Sequence, residues 1–358
     1  TRPGDQNPEQ PQLWWDPKPD GPTEWTPSSN PGSVPMRSLV TRRLLLLIPM
    51  VWAVATLTFI VVAAAPGDYA DTVDHPGLNA EQRDALRARY GLDQPIHRQY
   101  LAWLASLATG DLGTSFVTKE PVTRLLSRTL PPTLLLGGAA LLLDFILGIA
   151  VAVAAARRPS GWFDRISTLL GLGVAGLPSF WVAGLAVLSF ALLLGWFPAA
   201  HMRSVNADQM TAVARFGDLL HHLVLPAACL GLVGAAGTAR YLRSTLLDIR
   251  GERYILAART RGISENRVLW IHTLRPALLP VITLLGLSLP FLVSGSVVIE
   301  TVFSWPGVGL SLLQAAHARD VPVIMAVTLL GAVAVIVGNL VADLLYAAAD
   351  PRAREDRS

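Results

Sequence analysis

Few residues in this chain could do chemistry, and most of them stand alone inside apolar sequence. Asp144, Arg240 and Asp343 interrupt long apolar runs, and Glu300 closes another. A charge at membrane depth is costly and normally faces a cavity or a partner. The four groups therefore either wall a polar path, the reading given to Asp144 and Asp343, or serve as structural ion pairs and snorkelling side chains. Scattered as they are, they make a thin proton relay. His221 and His222 are adjacent, so on a helix they diverge by about 100° and cannot share one metal ion from one face. Their plainer role is as interfacial polar residues at the head of an apolar run. Cys229 is the single cysteine, which excludes an internal disulfide framework and a cysteine-based zinc site. The only lysines are Lys18 and Lys119, and neither completes a GxxxxGK[ST] phosphate loop. Ser294, in VSGSVV, is the nearest candidate for a protease nucleophile, but His272 lies about one membrane thickness away along a helix. No catalytic residue and no metal site is assigned.

A second kind of chemistry is recognition. The stretch Tyr254–Pro280, YILAARTRGISENRVLWIHTLRPALLP, is rich in arginine and lies between two apolar segments. Gly251 and Gly262 bracket about ten residues, roughly three helical turns. Within them Tyr254, Ile255, Ala258 and Arg261 recur at helical spacing. The small side chains of Ala257 and Ala258 would let another protein approach closely. Gly262 suits the left-handed conformation that ends a helix, and Ser264 can cap the next one. The segment is too short for a domain and is well sized for a handle that another protein grips. The plainer alternative is an ordinary charged loop.

These residues need elements to hold them. Of 358 residues, 52% are hydrophobic and only 15% charged, against about a quarter in soluble domains. The apolar residues gather into blocks of membrane-spanning length, which predicts an all-α integral membrane protein with six spans. The spans are Leu44–Ala65, Thr133–Ala156, Ile166–Phe197, Leu223–Leu242, Leu278–Ile299 and Pro322–Ala349. The third carries Gly171, Gly173, Gly176 and Pro178, so a bend or break is expected near Pro178. Gly and Ala in spans two to six permit close helix approach. Arginines follow span two (Arg157, Arg158, Arg165), span four (Arg243 to Arg275) and span six (Arg352, Arg354, Arg357). The positive-inside rule then puts both termini and the 244–277 segment in the cytoplasm, and the long loop 66–130 outside. That loop reads as structured, with helices from Ala80 to Tyr90 and from Ile96, the latter grouping Ile96, Tyr100, Trp103, Leu104 and Leu107 on one face. Residues 1–35, rich in Pro, Gly and polar types, read as a disordered cytoplasmic tail, and 353–358 as a second short tail. The basic residues are not gathered into one patch with aromatics, so nucleic-acid binding is not indicated.

At this point a family resemblance enters. AARTRG (Ala257–Gly262) fits the AAxxxG heart of the EAA loop of bacterial ABC-transporter permeases, and LAARTRGISENRVLWIHTLRPALLPVIT resembles the dipeptide/oligopeptide/nickel importer branch, specifically its first permease subunit. The matches continue in order along the chain: APGD (Ala65–Asp68), RYGLDQPIHRQYLAWL (Arg89–Leu104), GDLGTSF (Gly110–Phe116), GSVVIETVFSWPGVG (Gly295–Gly309) and DLLYAAADPR (Asp343–Arg352). Together they cover about residues 36–352 as one six-span permease domain. Leu256 stands at the glutamate position of the general loop motif, and Arg275 where many other branches have Pro. Both look normal for the peptide branch, and they remove any glutamate contact with the ATPase.

The resemblance implies a type I importer permease in the bacterial inner membrane, surrounded by lipid. It implies a second, related permease to complete a heterodimer, two cytoplasmic ABC ATPases, and an extracytoplasmic peptide-binding protein. No cofactor belongs to this chain; ATP and Mg would sit on the ATPases, so the chain is not itself an enzyme. Docking would fall to Tyr254, Ala257, Ala258, Arg259, Arg261 and Gly262. The outer gate and binding-protein contact would fall to Tyr90, Trp103, Gly110, Asp111, Phe116, Glu300, Phe303, Pro306 and Gly307. Dipeptides or oligopeptides are the default substrates, with glutathione, haem, opines and nickel chelates handled by the same branch. The competing classes are a secondary transporter or channel, which should show repeat symmetry and paired broken helices, and an intramembrane hydrolase. One interrupted span, no internal repeat and no nucleophile–base pair speak against them.

Overall fold

The computed structural model describes residues 36–67, 69–72, 80–294 and 296–349. The expected tails, 1–35 and 353–358, lie outside the described residues, as do Asp68, Gly295, Asp350, Pro351 and Arg352 of the motifs above. Among the described residues the regular structure is helical, with one isolated bridge between Thr114 and Pro121. In chain order the helices are α1 (Met36–Ala64), α2 (Tyr69–Thr72), α3 (Ala80–Arg89), α4 (Ile96–Ala108) and α5 (Val122–Arg157). Then come α6 (Trp162–Gly176), α7 (Ser179–Ala186), α8 (Ala212–Arg250), α9 (Arg253–Thr260) and α10 (Glu265–Arg267). The chain closes with α11 (Leu274–Ser294), α12 (Val297–Val302), α13 (Val308–His317) and α14 (Val321–Ala349). Wider π turns extend α7 through Val187–Leu193 and join α10 to α11 through Val268–Thr273. Among the described residues five helices are long and apolar enough to span a membrane, and α6 with α7, bent by 105° at Leu177–Pro178, brings the number to six if the pair counts as one span. The bend falls where Pro178 removes a donor and restricts the residue before it.

The spans differ from expectation at their ends. The second was expected to begin after the Pro131–Pro132 pair, but α5 runs through both prolines from Val122. The reason is tertiary: Val122, Leu125 and Leu126 are buried against Val308, Val323, Ala326 and Val327, and that packing outweighs the local proline cost. The fourth extends from a start capped by Thr211, whose hydroxyl accepts from the Ala214 amide at 3.3 Å, to Gly251. The fifth ends earlier, at Ser294, and Ile299 belongs to the separate short helix α12.

α5 and α8 run together along most of their length and form the spine. Glycine makes that approach close. A Cβ at Gly231 would stand 2.8 Å from the Ala140 carbonyl oxygen, and one at Gly148 2.8 Å from the Thr238 side chain. At one end of the spine Leu136, Leu223, Leu225, Ile299, Phe303 and Trp305 form a buried cluster; at the other, Ala152, Val153, Leu242, Leu246, Leu269 and Ala277 form a second. α14 packs on α11, and α1 lies against α14.

Candidate functional site

The α9 segment is short and firmly anchored. Ile255 is fully buried, and with Ala258 and Val268 it makes a small apolar core supported by Ile249 and Ile263. Gly262 adopts φ +77°, its amide donates to the Arg259 carbonyl at 2.9 Å, and the Ile263 amide donates to the Ala258 carbonyl at 3.2 Å. Those two bonds are the Schellman closure of a helix, and a side chain at Gly262 would strain it. Arg259 grips Glu265 through two bonds of 2.8 and 3.2 Å, tying α9 to α10. The Tyr254 hydroxyl donates to the His272 carbonyl at 3.3 Å; partial burial, then the nearby Glu252 charge, raises its pKa and keeps it a donor. Val268 and His272 lie in the π turn that leads directly into α11. α9 is thus joined to a long span through covalent and packed contacts.

Not every expected docking residue faces outward. Tyr254, Ala257, Arg261 and Gly262 are exposed, with Leu256 beside them, and Arg259 is half-buried. Ala258 is buried under the helix, so its small size serves the internal seam with Val268 rather than an outside partner. The helix is about two turns, shorter than the three expected. Ser264 occupies the position before α10 but makes no side-chain cap bond.

The outer candidates separate into distinct groups. Glu300 is fully buried; its carboxylate accepts from the Thr133 hydroxyl and the Leu310 amide, each at 2.9 Å. Thr133 in turn accepts from the Val308 amide at 2.8 Å. Trp305 donates its indole N–H to the Pro132 carbonyl at 2.9 Å, and Phe303 is buried beside it. Gly307 leaves the space that Glu300 and Thr133 fill, and Pro306 is exposed on top. Glu300 is therefore the internal latch of the folded 300–310 lid. Tyr90 and Phe116 belong to a second group with Tyr69, all around the Lys119 ammonium, which sits over both tyrosine rings. Trp103 packs instead beside Tyr100 on Phe59 of α1, and the Tyr100 hydroxyl bonds Thr56 at 2.7 Å. Ile96, expected on the same inner face, is exposed. Gly110 at φ +79° makes the turn out of α4, and Asp111 accepts from the Gly113 amide at 2.8 Å.

Sequence reasoning missed the Asp320 clasp. This buried carboxylate accepts from the Ser115 hydroxyl at 2.5 Å and from the Phe116 and Val117 amides at 3.0 and 3.2 Å, pinning the outer loop to the head of α14. It also missed the pairing of Arg243 with Asp164, which joins the start of α6 to α8. No local signal points to either, since the partners lie far apart in the chain.

Asp144 and Asp343, grouped as path residues, are not brought together. Asp144 is buried in the α5–α8 seam against Gly234, and its Oδ1 has no hydrogen-bond partner among the described residues. It edges a cavity of about 350 Å³ that reaches Thr133 and Glu300 at its other end and Ser288 of α11 on one wall. Asp343 is exposed on α14 and does not line that cavity. His221 and His222 also diverge: one bonds the Trp196 carbonyl at 2.7 Å, the other the Asp218 carbonyl at 2.8 Å.

The comparisons agree along almost the whole described length. Residues 146–355 match the family of binding-protein-dependent transport system inner membrane components, and residues 36–137 match the N-terminal part of such membrane components. An oligopeptide transport system permease protein of Bacillus subtilis (strain 168) is 41% identical over 318 residues, 88% of this chain and 99% of that protein. A putative peptide permease protein of Brucella suis biovar 1 is 39% identical, covering 87% of this chain and 97% of its own. A glutathione transport system permease protein of Salmonella typhimurium is 37% identical, covering 89% of this chain and 99% of its own. With an all-helical fold, up to six apolar spans and both parts of the family profile in order, this chain belongs to the inner-membrane permease family of binding-protein-dependent ABC transport systems.

Proposed function

We propose that the chain is one of two permease subunits of an ATP-driven importer for peptides. The observation that carries the coupling role is α9: a rigid two-turn helix with Tyr254, Ala257 and Arg261 exposed, locked through Val268 to the foot of α11. A surface of that kind suits two ATPase subunits, one docked on this helix and one on its counterpart in a related second permease. ATP and Mg belong to those ATPases; this chain moves rather than hydrolyses. Nucleotide must favour one state of the assembly, since equal affinity for both shifts nothing. The relatives named for oligopeptide, peptide and glutathione transport support a small peptide as cargo, delivered by an extracytoplasmic binding protein to the side bearing the 300–310 lid. Both termini and α9 then face the cytoplasm of a bacterial inner membrane.

The test is purification of the tagged chain in mild detergent, identification of its partners, and peptide uptake after reconstitution with them. Recovery of a second permease, ATPases and a peptide-type binding protein is expected, with ATP-dependent uptake. In the same assay Gly262→Trp should leave the permease pair intact and lower ATP-dependent uptake by about tenfold, within the usual range of coupling energies. A chain that purifies alone and moves solute without ATP would defeat the proposal, and normal uptake by Gly262→Trp would detach α9 from it.

A further inference from the structure

Four arginines at the α9 end of the molecule have clear partners. Arg243 is held by Asp164, Arg259 by Glu265, and Arg250 donates to the Ala156 carbonyl, while Arg157 lies over the Trp270 ring at 5.9 Å. Arg240 differs. It lies one turn before Arg243 on α8, is exposed, and has no hydrogen-bond or ion-pair partner among the described residues. It borders a cleft of about 470 Å³ between α5, α6 and α8. The walls are apolar: Leu147 from α5, Ile166 and Leu170 from α6, Leu232 and Ala236 from α8. Trp162, 73% exposed, stands at the head of α6 beside the same cleft, as an interfacial tryptophan does. The cleft is lined by no carboxylate and its other arginine, Arg243, is held by Asp164, which leaves Arg240 as the uncompensated positive charge of the lining.

We propose that this cleft is a binding site for an anionic phospholipid, with an acyl chain between α5, α6 and α8 and the headgroup phosphate on Arg240. An unpaired guanidinium beside apolar walls suits an anion carrying hydrocarbon, and a phosphate satisfies its planar fork of donors. A basic pocket between spans is the expected form of such a site. The family reading supplies only the leaflet, which would be the cytoplasmic one. The site also makes sense of α6: its exposed apolar residues Ile166, Leu169 and Leu170 line or flank the lipid before the chain bends at Pro178.

The experiment uses the assembled transporter in nanodiscs of equimolar phosphatidylglycerol and phosphatidylcholine, followed by native mass spectrometry of the retained lipid. The wild type should retain phosphatidylglycerol over phosphatidylcholine by about fivefold, the equilibrium weight of one arginine at a membrane surface. Arg240→Gln should return the ratio to that of the bulk lipid, and Arg240→Lys should keep most of the preference. Independently, a photoreactive p-benzoylphenylalanine at Leu170 in the otherwise native complex should crosslink to lipid. Retention at the bulk ratio by the wild type, or a Leu170 crosslink to the second permease instead of lipid, overturns the proposal. Neither readout depends on transport, so a failure here is separable from a failure to find peptide uptake.

Discussion

Glu300 shows how much depends on one buried carboxylate. Its bond to Thr133 crosses from α12 to α5, and the same threonine hydroxyl accepts from the Val308 amide at the head of α13. Thr133→Val keeps the shape but leaves Glu300 one donor short and the Val308 amide without its acceptor. The expected cost is about 1–3 kcal/mol, the desolvation of groups left unpaired. Thermal unfolding of the purified complex should show the loss for Thr133→Val and its recovery in Thr133→Ser; an unchanged midpoint in the valine variant would show that the lid is held otherwise. Gly307→Ala should be damaging for a different reason, because its Cβ would overlap both Glu300 and Thr133. Overpacking of that kind costs about 1–3 kcal/mol and should lower the same midpoint. Glu300 was legible in the sequence as a charge ending an apolar run. Its partner was not, since nothing local marks Thr133, 167 positions away, as the donor.

At the scale of elements, the apolar runs predicted which segments form spans, and tertiary contacts decided where those spans end. The break at Pro178 and the left-handed Gly262 could be read directly, because each follows from backbone sterics of the residue itself. The passage of α5 through Pro131 and Pro132 could not, because its cause is burial of Val122 and Leu125 against α13 and α14. The inward turn of Ala258 was equally hidden: two adjacent alanines look alike in sequence, and only the position of Val268 tells them apart. This distinction is testable. Ala258→Leu should overfill the pocket shared with Ile255 and Val268, lowering stability by about 1–3 kcal/mol with or without ATPases bound. Ala257→Leu, on the exposed face, should leave the isolated permease pair unchanged in thermal unfolding and weaken recovery of the ATPases in a pull-down. Equal behaviour of the two variants would mean that α9 does not present one face outward.

For the whole molecule, the decisive question is whether the bent α6–α7 pair crosses the membrane or turns back. If it turned back, α8 would run in the opposite sense, and α9 would lie on the same side as the α3–α4 loop. The contacts at its two ends argue for a crossing. At its start Asp164 pairs with Arg243, near the C-terminal end of α8. After its end the His201 amide donates to the Phe303 carbonyl at 2.7 Å, and the Ser204 hydroxyl and amide both bond Asp218, near the start of α8. Between Asp218 and Arg243 α8 advances about 37 Å, more than the roughly 30 Å hydrocarbon core. The pair therefore reaches from one end of α8 to the other, and six crossings place α9 opposite the α3–α4 loop. The native chain suits a labelling test because its single cysteine, Cys229, is buried. In right-side-out vesicles a membrane-impermeant maleimide should react with Ala105→Cys on α4 and spare Asn266→Cys on α10, both exposed positions. Permeabilisation should make the second site reactive. Labelling of both sites in sealed vesicles would mean that the bent pair turns back, and a coupling helix on that side could never meet an ATP-driven partner.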